Sequence, residues 1–275
     1  MKTIRYLSVL LPLLLLGVNA RADSTLEYLD DSQKSAGRQT HTVFIKGGKI
    51  LIKAAEGSTQ YNLLYQSAPE MLFIIDHKKR SVQTLNEQQI NSMAKTSETV
   101  QPLLQGFSKQ LAQLDPQQRA KWQQMLGNSV SLDKISEAAK PPKSATLFET
   151  GKKRTVSGIS CKQIKVLTDN VPSAELCLAD QSNLHMDDSD YATFKSLFHF
   201  SNKIVTSSRG LASQFGVNIP SFSLTDIDGL PVAINDLNKN GNGNISLKRL
   251  SGAAISEETM QVPQDYKSEA FALFK

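Results

Sequence analysis

The sequence predicts an α+β fold: one large, curved antiparallel sheet with a helical hairpin inserted and a further helix packed on it. Three observations carry that prediction. β-rich runs separated by turn residues fill 41–85. A helical apolar period replaces them over 87–127. Strand-like runs then resume from 152, interrupted by one more helical stretch.

Taken in order, "HTVFIKGGKILIKA" (41–54) is two β runs joined by Gly47-Gly48, a hairpin signal. Strands follow at 62–67, 71–76 and 81–85, with breaks at Pro69-Glu70 and at the basic turn His77-Lys78-Lys79-Arg80. Met71, Phe73 and Ile75 alternate with Leu72, Ile74 and Asp76, so apolar residues occupy both faces. Such strands need something packed on each side of the sheet. Val100, Leu103, Leu104, Phe107, Leu111 and Leu114 then keep helical spacing. "LDPQQRAKWQQMLG" sets Asp115 as N-cap, Pro116 at the first helical position and Gly127 past the end. The region 87–127 is therefore a Gln-rich helical hairpin broken at Leu114-Asp115. "KPPKSA" (140–145) reads as a loop. A β-meander over 152–170 and 173–180, a helix over 189–205, and strands over 229–236, 244–255 and 258–267 complete the chain.

The first 22 residues carry the compartment. Lys2 and Arg5 precede an apolar run from Leu7 to Val18, and Ala20-Arg21-Ala22 forms an A-x-A site. The run falls short of the roughly 20 residues that span a bilayer. A signal peptide at 1–22, cut after Ala22, is expected, leaving 23–275 as a single domain exported to the periplasm. No Cys lies near the cut, so no lipid anchor is expected there. The leader holds three of the 31 basic residues and none of the 26 acidic ones, so the mature net charge is +2 rather than +5. That balance, with no dense basic block interleaved with aromatics, argues against nucleic acid as a partner. Short basic runs such as Lys152-Lys153-Arg154 read as solvated turns. Cys161 and Cys177 are the whole cysteine complement, and in an oxidising compartment they are expected to form a structural disulfide.

The order of elements resembles the periplasmic lipoprotein-carrier superfamily, the LolA-like unclosed β-barrels that hold a helical plug, and among them uncharacterised exported relatives. The strand block 41–85 carries part of the likeness. "GKKRTVSGISCKQIKV…AELCLAD" is similar to those relatives' G-x-x-C-x-x-Y/I-x-V…E-x-C/W-x-A. "GLPVAIND…ETMQVPQDYK" is similar to their G-x-P-V…F-x-V-P-x-G-Y. The resemblance implies a half-barrel that binds a hydrophobic ligand: an acyl chain, a lipid or a lipoprotein anchor. Ile50, Ile52, Met71, Phe73 and Ile75 from the sheet, with Leu104, Phe107 and Leu111 from the hairpin, are the expected lining. The alternative is an envelope sensor that contacts a protein partner through the hairpin and carries no lipid.

Little in the chain points to catalysis. His41, His77, His185 and His199 form no H-E-x-x-H, and no G-x-S-x-G or G-x-G-x-x-G occurs. No enzyme activity, cofactor or metal is expected. His185 near Asp187, Asp188 and Asp190 reads as a loop leading into a helix N-terminus. "DLNKNGNGNISL" (236–247) begins like a calcium loop but has Leu247 in place of the twelfth-position acid and Gly243 at the eighth position. With strands on both flanks it is expected to be a hairpin tip.

Overall fold

The computed structural model describes residues 23–31, 38–53, 61–126, 132–133, 136, 139, 145–214, 228–237 and 243–271. Six strands come first: β1 (Ser24–Asp30), β2 (Gln39–Lys46), β3 (Lys49–Lys53), β4 (Tyr61–Ser67), β5 (Glu70–Asp76) and β6 (Ser81–Asn86). Helices α1 (Glu87–Ala112) and α2 (Pro116–Leu126) form the hairpin, followed by β7 (Ala145–Val156), β8 (Ile159–Thr168) and β9 (Val171–Ala179). The short α3 (Gln181–Leu184) leads to the long α4 (Asp188–Gln214), and β10 (Leu230–Asp236), β11 (Asn244–Ser251), a 3-10 turn (Glu258–Met260) and β12 (Lys267–Glu269) close the described chain. The strands form one twelve-stranded sheet, ordered β12-β6-β5-β4-β3-β2-β1-β11-β10-β9-β8-β7. Every pairing is antiparallel except β12 with β6. Among the described residues β7 and β12 are free edges, so the sheet does not close. The α+β class and the large unclosed sheet expected from the sequence are what the chain forms.

Turn chemistry sets the hairpins. Gly47 and Gly48 adopt φ of +55° and +76° between β2 and β3, the left-handed pair that a two-residue hairpin requires. Asp169 and Asn170 do the same between β8 and β9, at +52° and +65°. The Asp236–Leu247 stretch lies between antiparallel strands, with the Asp236 N–H donating to Gly243 O at 2.9 Å. Its flanks are those of a β-hairpin; residues 238–242 lie outside the described residues.

The main core spans both halves of the sheet, and a separate cluster of Ile164, Val166, Leu176 and Leu178 packs on β8 and β9. On the face covered by helices, Leu26, Val43, Ile45, Ile50, Tyr65 and Leu85 from β1–β6 join Val232, Leu247, Cys177 and Cys161 from the other half. The hydrophobic side of α4 fills the space between, with Tyr191 and Phe200 buried in the same cluster and Phe194, Leu197 and Ile204 packed against it. Residues from both halves of the sheet thus meet around one helix. Polar cross-links fix this curl: Tyr28 Oη donates to Pro231 O at 3.1 Å, and Ser157 Oγ to Leu247 O at 2.6 Å. Burial raises the Tyr28 hydroxyl pKa above its ordinary value, so it stays a neutral donor.

The opposite face has its own cover. Leu51, Leu64, Ile75 and Val82, with Phe44 and Phe73, pack under Ile255, Met260, Val262 and Tyr266. Lys46 Nζ donates to Ile255 O at 2.7 Å and Lys49 Nζ to Met260 O at 3.3 Å, pinning this C-terminal strap across the strands.

Three details differ from what the sequence predicts. β1, which no turn signal or alternation marks as a strand, lies at the centre of the sheet between β2 and β11. The run 152–170 is not one strand: Ser157 and Gly158 at φ +48° and +83° turn the chain, so Lys152, Lys153 and Arg154 are exposed residues of edge strand β7 rather than a turn. The strand expected over 258–267 is mostly the strap. Pro263 lacks an N–H for a ladder, and lysine bonds hold the segment over the sheet face, so only Lys267–Glu269 pairs.

Candidate functional site

The register separates the residues expected to line one cavity. Ile50 pairs with Tyr65, and Ile52 with Leu63, placing both on the face covered by α4. There Ile50 is buried at 0% exposure, and Ile52 packs against the same cluster. Leu64 pairs with Phe73, Asn62 with Ile75 and Gln66 with Met71, so Met71, Phe73 and Ile75 point to the opposite face. Phe73 and Ile75 lie beneath the strap. Leu104, Phe107 and Leu111 stand on α1 in neither sheet cluster. The eight residues thus occupy three separate places.

Over β2–β4 the helix-covered face is filled by protein. Phe200 is fully buried, and its ring lies 5.4 Å from that of Tyr65 at a 44° tilt. The Tyr65 hydroxyl and Ser196 Oγ are 2.6 Å apart, and Lys203 Nζ reaches Glu70 Oε2 at 2.5 Å. These polar contacts bracket the apolar seam and fix the position of α4. The Glu70 contact raises the Lys203 amino group above its ordinary pKa.

A cavity of about 480 Å³ lies farther along the same sheet, beside β7–β9. Leu147, Ile164 and Leu178 give it an apolar side, whereas Glu149, Lys162 and Asp228 bring charge. Lys162 pairs with Asp180 at 2.9 Å, which raises its amino pKa, and Lys195 approaches Asp228 at 3.9 Å. The volume falls within the range of small-molecule pockets, but three ionisable side chains make a poor lining for an acyl chain. His185 ends α3 in a left-handed conformation. Among the described residues no three His, Cys, Asp or Glu side chains assemble a metal-holding group.

The helical hairpin presents a different surface. Asn86 caps α1 through a reciprocal box with Gln89, both bonds 3.1 Å. Ile90 and Met93 anchor its first turns in the core, and α1 runs alongside α4. Asp115 and Gln118 form a second box at the start of α2, with bonds of 2.8 and 3.3 Å. The hairpin is held by Phe107 against Trp122, centroids 6.3 Å apart and edge to face, and by buried Leu111. Leu132 is also buried, and its N–H donates to Gln123 Oε1 at 2.9 Å. Beyond these contacts the hairpin exposes apolar groups: Leu103 at 68%, Met125 at 70% and Trp122 at 41%. The Phe107–Trp122 contact ties α1 to α2. Leu103 and Met125 stand about one turn from it, on α1 and α2 respectively. Helical spacing marks Leu103 as part of the apolar stripe but does not distinguish its exposed position from that of buried Leu111.

No protein-family model matches the chain, and no curated protein matches it. Solved structures give loose likenesses. An uncharacterized conserved protein from Thermus thermophilus aligns over 92% of this chain and 93% of its own, at 5% identity and a TM-score of 0.41. PNGF-II aligns over 90% of this chain and 31% of its own, at 8% identity and a TM-score of 0.41. MucB, in its Pseudomonas aeruginosa complex with MucA, aligns over 89% of this chain and 57% of its own, at 10% identity and a TM-score of 0.34. Likeness at this level assigns neither a family nor a function. Among the described residues no helix is long and apolar enough to cross a membrane.

Proposed function

We propose that this is a non-catalytic protein, exported to the periplasm by cleavage after Ala22, that binds an envelope protein partner through the α1–α2 hairpin. The observation that supports this most directly is the exposure of Leu103, Trp122 and Met125 on an arm anchored in the core at its other end. Large exposed apolar side chains on one arm favour a contact surface, and aromatic residues such as Trp122 are frequent anchors in interfaces. Carriage of an acyl chain is the weaker reading. The sheet face that would shelter such a chain is occupied by α4, and the open cavity beside β7–β9 carries Glu149, Lys162 and Asp228. No cofactor enters this role.

A photoreactive amino acid at position 125 in the full chain, irradiated in cells, tests the proposal. One discrete protein adduct is expected. Leu103→Glu in the same chain should reduce its yield about 30-fold, the effect of losing an interface hot spot worth ~2 kcal/mol. No adduct from the hairpin, or an adduct unaffected by Leu103→Glu, would overturn the proposal.

A further inference from the structure

We propose that the carboxylate of Asp190, buried near the N-terminal end of α4, receives the chain's own α-ammonium group once Asp23 becomes the first residue. The inference rests on the cleavage after Ala22 proposed above.

Asp190 is only 4% exposed, and its Oδ2 is buried with no hydrogen-bond partner among the described residues. A buried carboxylate with an unfilled acceptor is costly unless a donor or cation reaches it. The neighbours acting on it are the Ser24 hydroxyl and backbone N–H, both donors, and the carboxylates of Asp187 and Asp23, which add repulsion. Burial is the larger influence and pushes the Asp190 carboxyl above its ordinary pKa. Ser24 is itself 4% exposed, and it directly follows Asp23. Residue 23 is also held from its other side: Asp23 Oδ2 accepts from Lys46 Nζ at 3.1 Å and from the Ile255 N–H at 2.6 Å. Lys46 in turn contacts Glu257 at 3.3 Å. The nitrogen of residue 23 is therefore fixed one residue from a backbone N–H that already acts on Asp190.

Before cleavage that nitrogen is an amide with one hydrogen and no charge. Hydrolysis of the Ala22–Asp23 bond leaves a carboxylate on Ala22 and an amine on Asp23, which takes up a proton near neutral pH. The new ammonium carries three donors and a positive charge, and Asp190 Oδ2 is an acceptor without a partner among the described residues. Helix α4 fills the core, so the same contact ties seating of α4 to removal of the leader.

The mature protein purified from cells tests this. N-terminal sequencing should begin at Asp23. Insertion of one Gly between Ala22 and Asp23 shifts the ammonium by a residue and leaves every side chain in place. An amine-acylating reagent at pH 7 should modify the α-amine of the normal chain at least about tenfold more slowly than that of the glycine-extended chain. The insertion and Asp190→Asn should each lower the thermal midpoint by about 5–10 °C, and their combination should go no lower than the worse of the two. If Asp190→Asn does not fold, the insertion alone decides. A chain beginning elsewhere overturns both the cleavage site and this inference. Equal acylation rates, or additive losses, in a chain that does begin at Asp23 overturn the inference alone.

Discussion

Phe200→Ala is expected to destabilise the protein by about 3–5 kcal/mol, the range for removing a fully buried aromatic ring. Phe200 has 0% exposure and sits on α4 where the helix meets the sheet. Its ring packs on Tyr65, whose hydroxyl pairs with Ser196 one turn back on the same helix. Loss of the ring removes apolar contact and leaves a cavity beside a polar link that depends on the helix position. Urea unfolding by far-UV circular dichroism measures the cost. Leu103→Ala, on the exposed hairpin, is the control and should change stability by less than about 0.5 kcal/mol. A Phe200→Ala loss below about 1 kcal/mol would mean that α4 does not fill the sheet as described.

Breaking the disulfide should have the next largest effect. Cys161 and Cys177 are joined across a sequence separation of 16 residues, and among the described residues no cysteine is free. Lys162 pairs with Leu178 and Gln163 with Cys177, so the bridge runs diagonally between β8 and β9. Both sulfurs belong to the main core rather than to a surface clip. The cross-link shortens the unfolded chain's range of conformations, contributing about 3 kcal/mol for a loop of this length. The double variant Cys161→Ala/Cys177→Ala should unfold about 6–12 °C lower than the parent, and a reducing agent should shift the parent but not the variant. An unchanged midpoint would show that the β8–β9 ladder alone sets the stability of this region.

The parts of the molecule are not equally legible in the sequence. Helical period, Asp115-Pro116 and the Gln-rich exterior locate the hairpin, and α1 and α2 break between Gln113 and Asp115, beside the expected point. Gly47-Gly48 and Asp169-Asn170 locate turns because left-handed backbone favours those residue types. Side assignment on β5 is not legible. Phe73 and Ile75 alternate with Leu72 and Ile74, and both sets are apolar, so period alone cannot say which set faces the helices. The answer lies about 180 residues away, in a strap whose Ile255, Met260, Val262 and Tyr266 follow neither strand nor helix spacing. In sequence Asp190 is only a helix-start residue, because its burial depends on Ser24 and the distant N-terminal strand. The exposed patch on the hairpin is hidden for a similar reason: Leu103 and Leu111 look alike in sequence, and only packing separates 68% exposure from 1%.

The proposed protein-binding hairpin and the helix-filled sheet together predict what travels with the molecule. Native mass spectrometry of the full chain, released from the envelope without detergent, measures this. The expected spectrum shows the polypeptide mass together with a complex containing one protein partner. The complex should disappear in the Leu103→Glu/Met125→Glu variant, and the free polypeptide should carry no lipid adduct. A stoichiometric lipid on the free chain, persisting in that variant, would contradict the account.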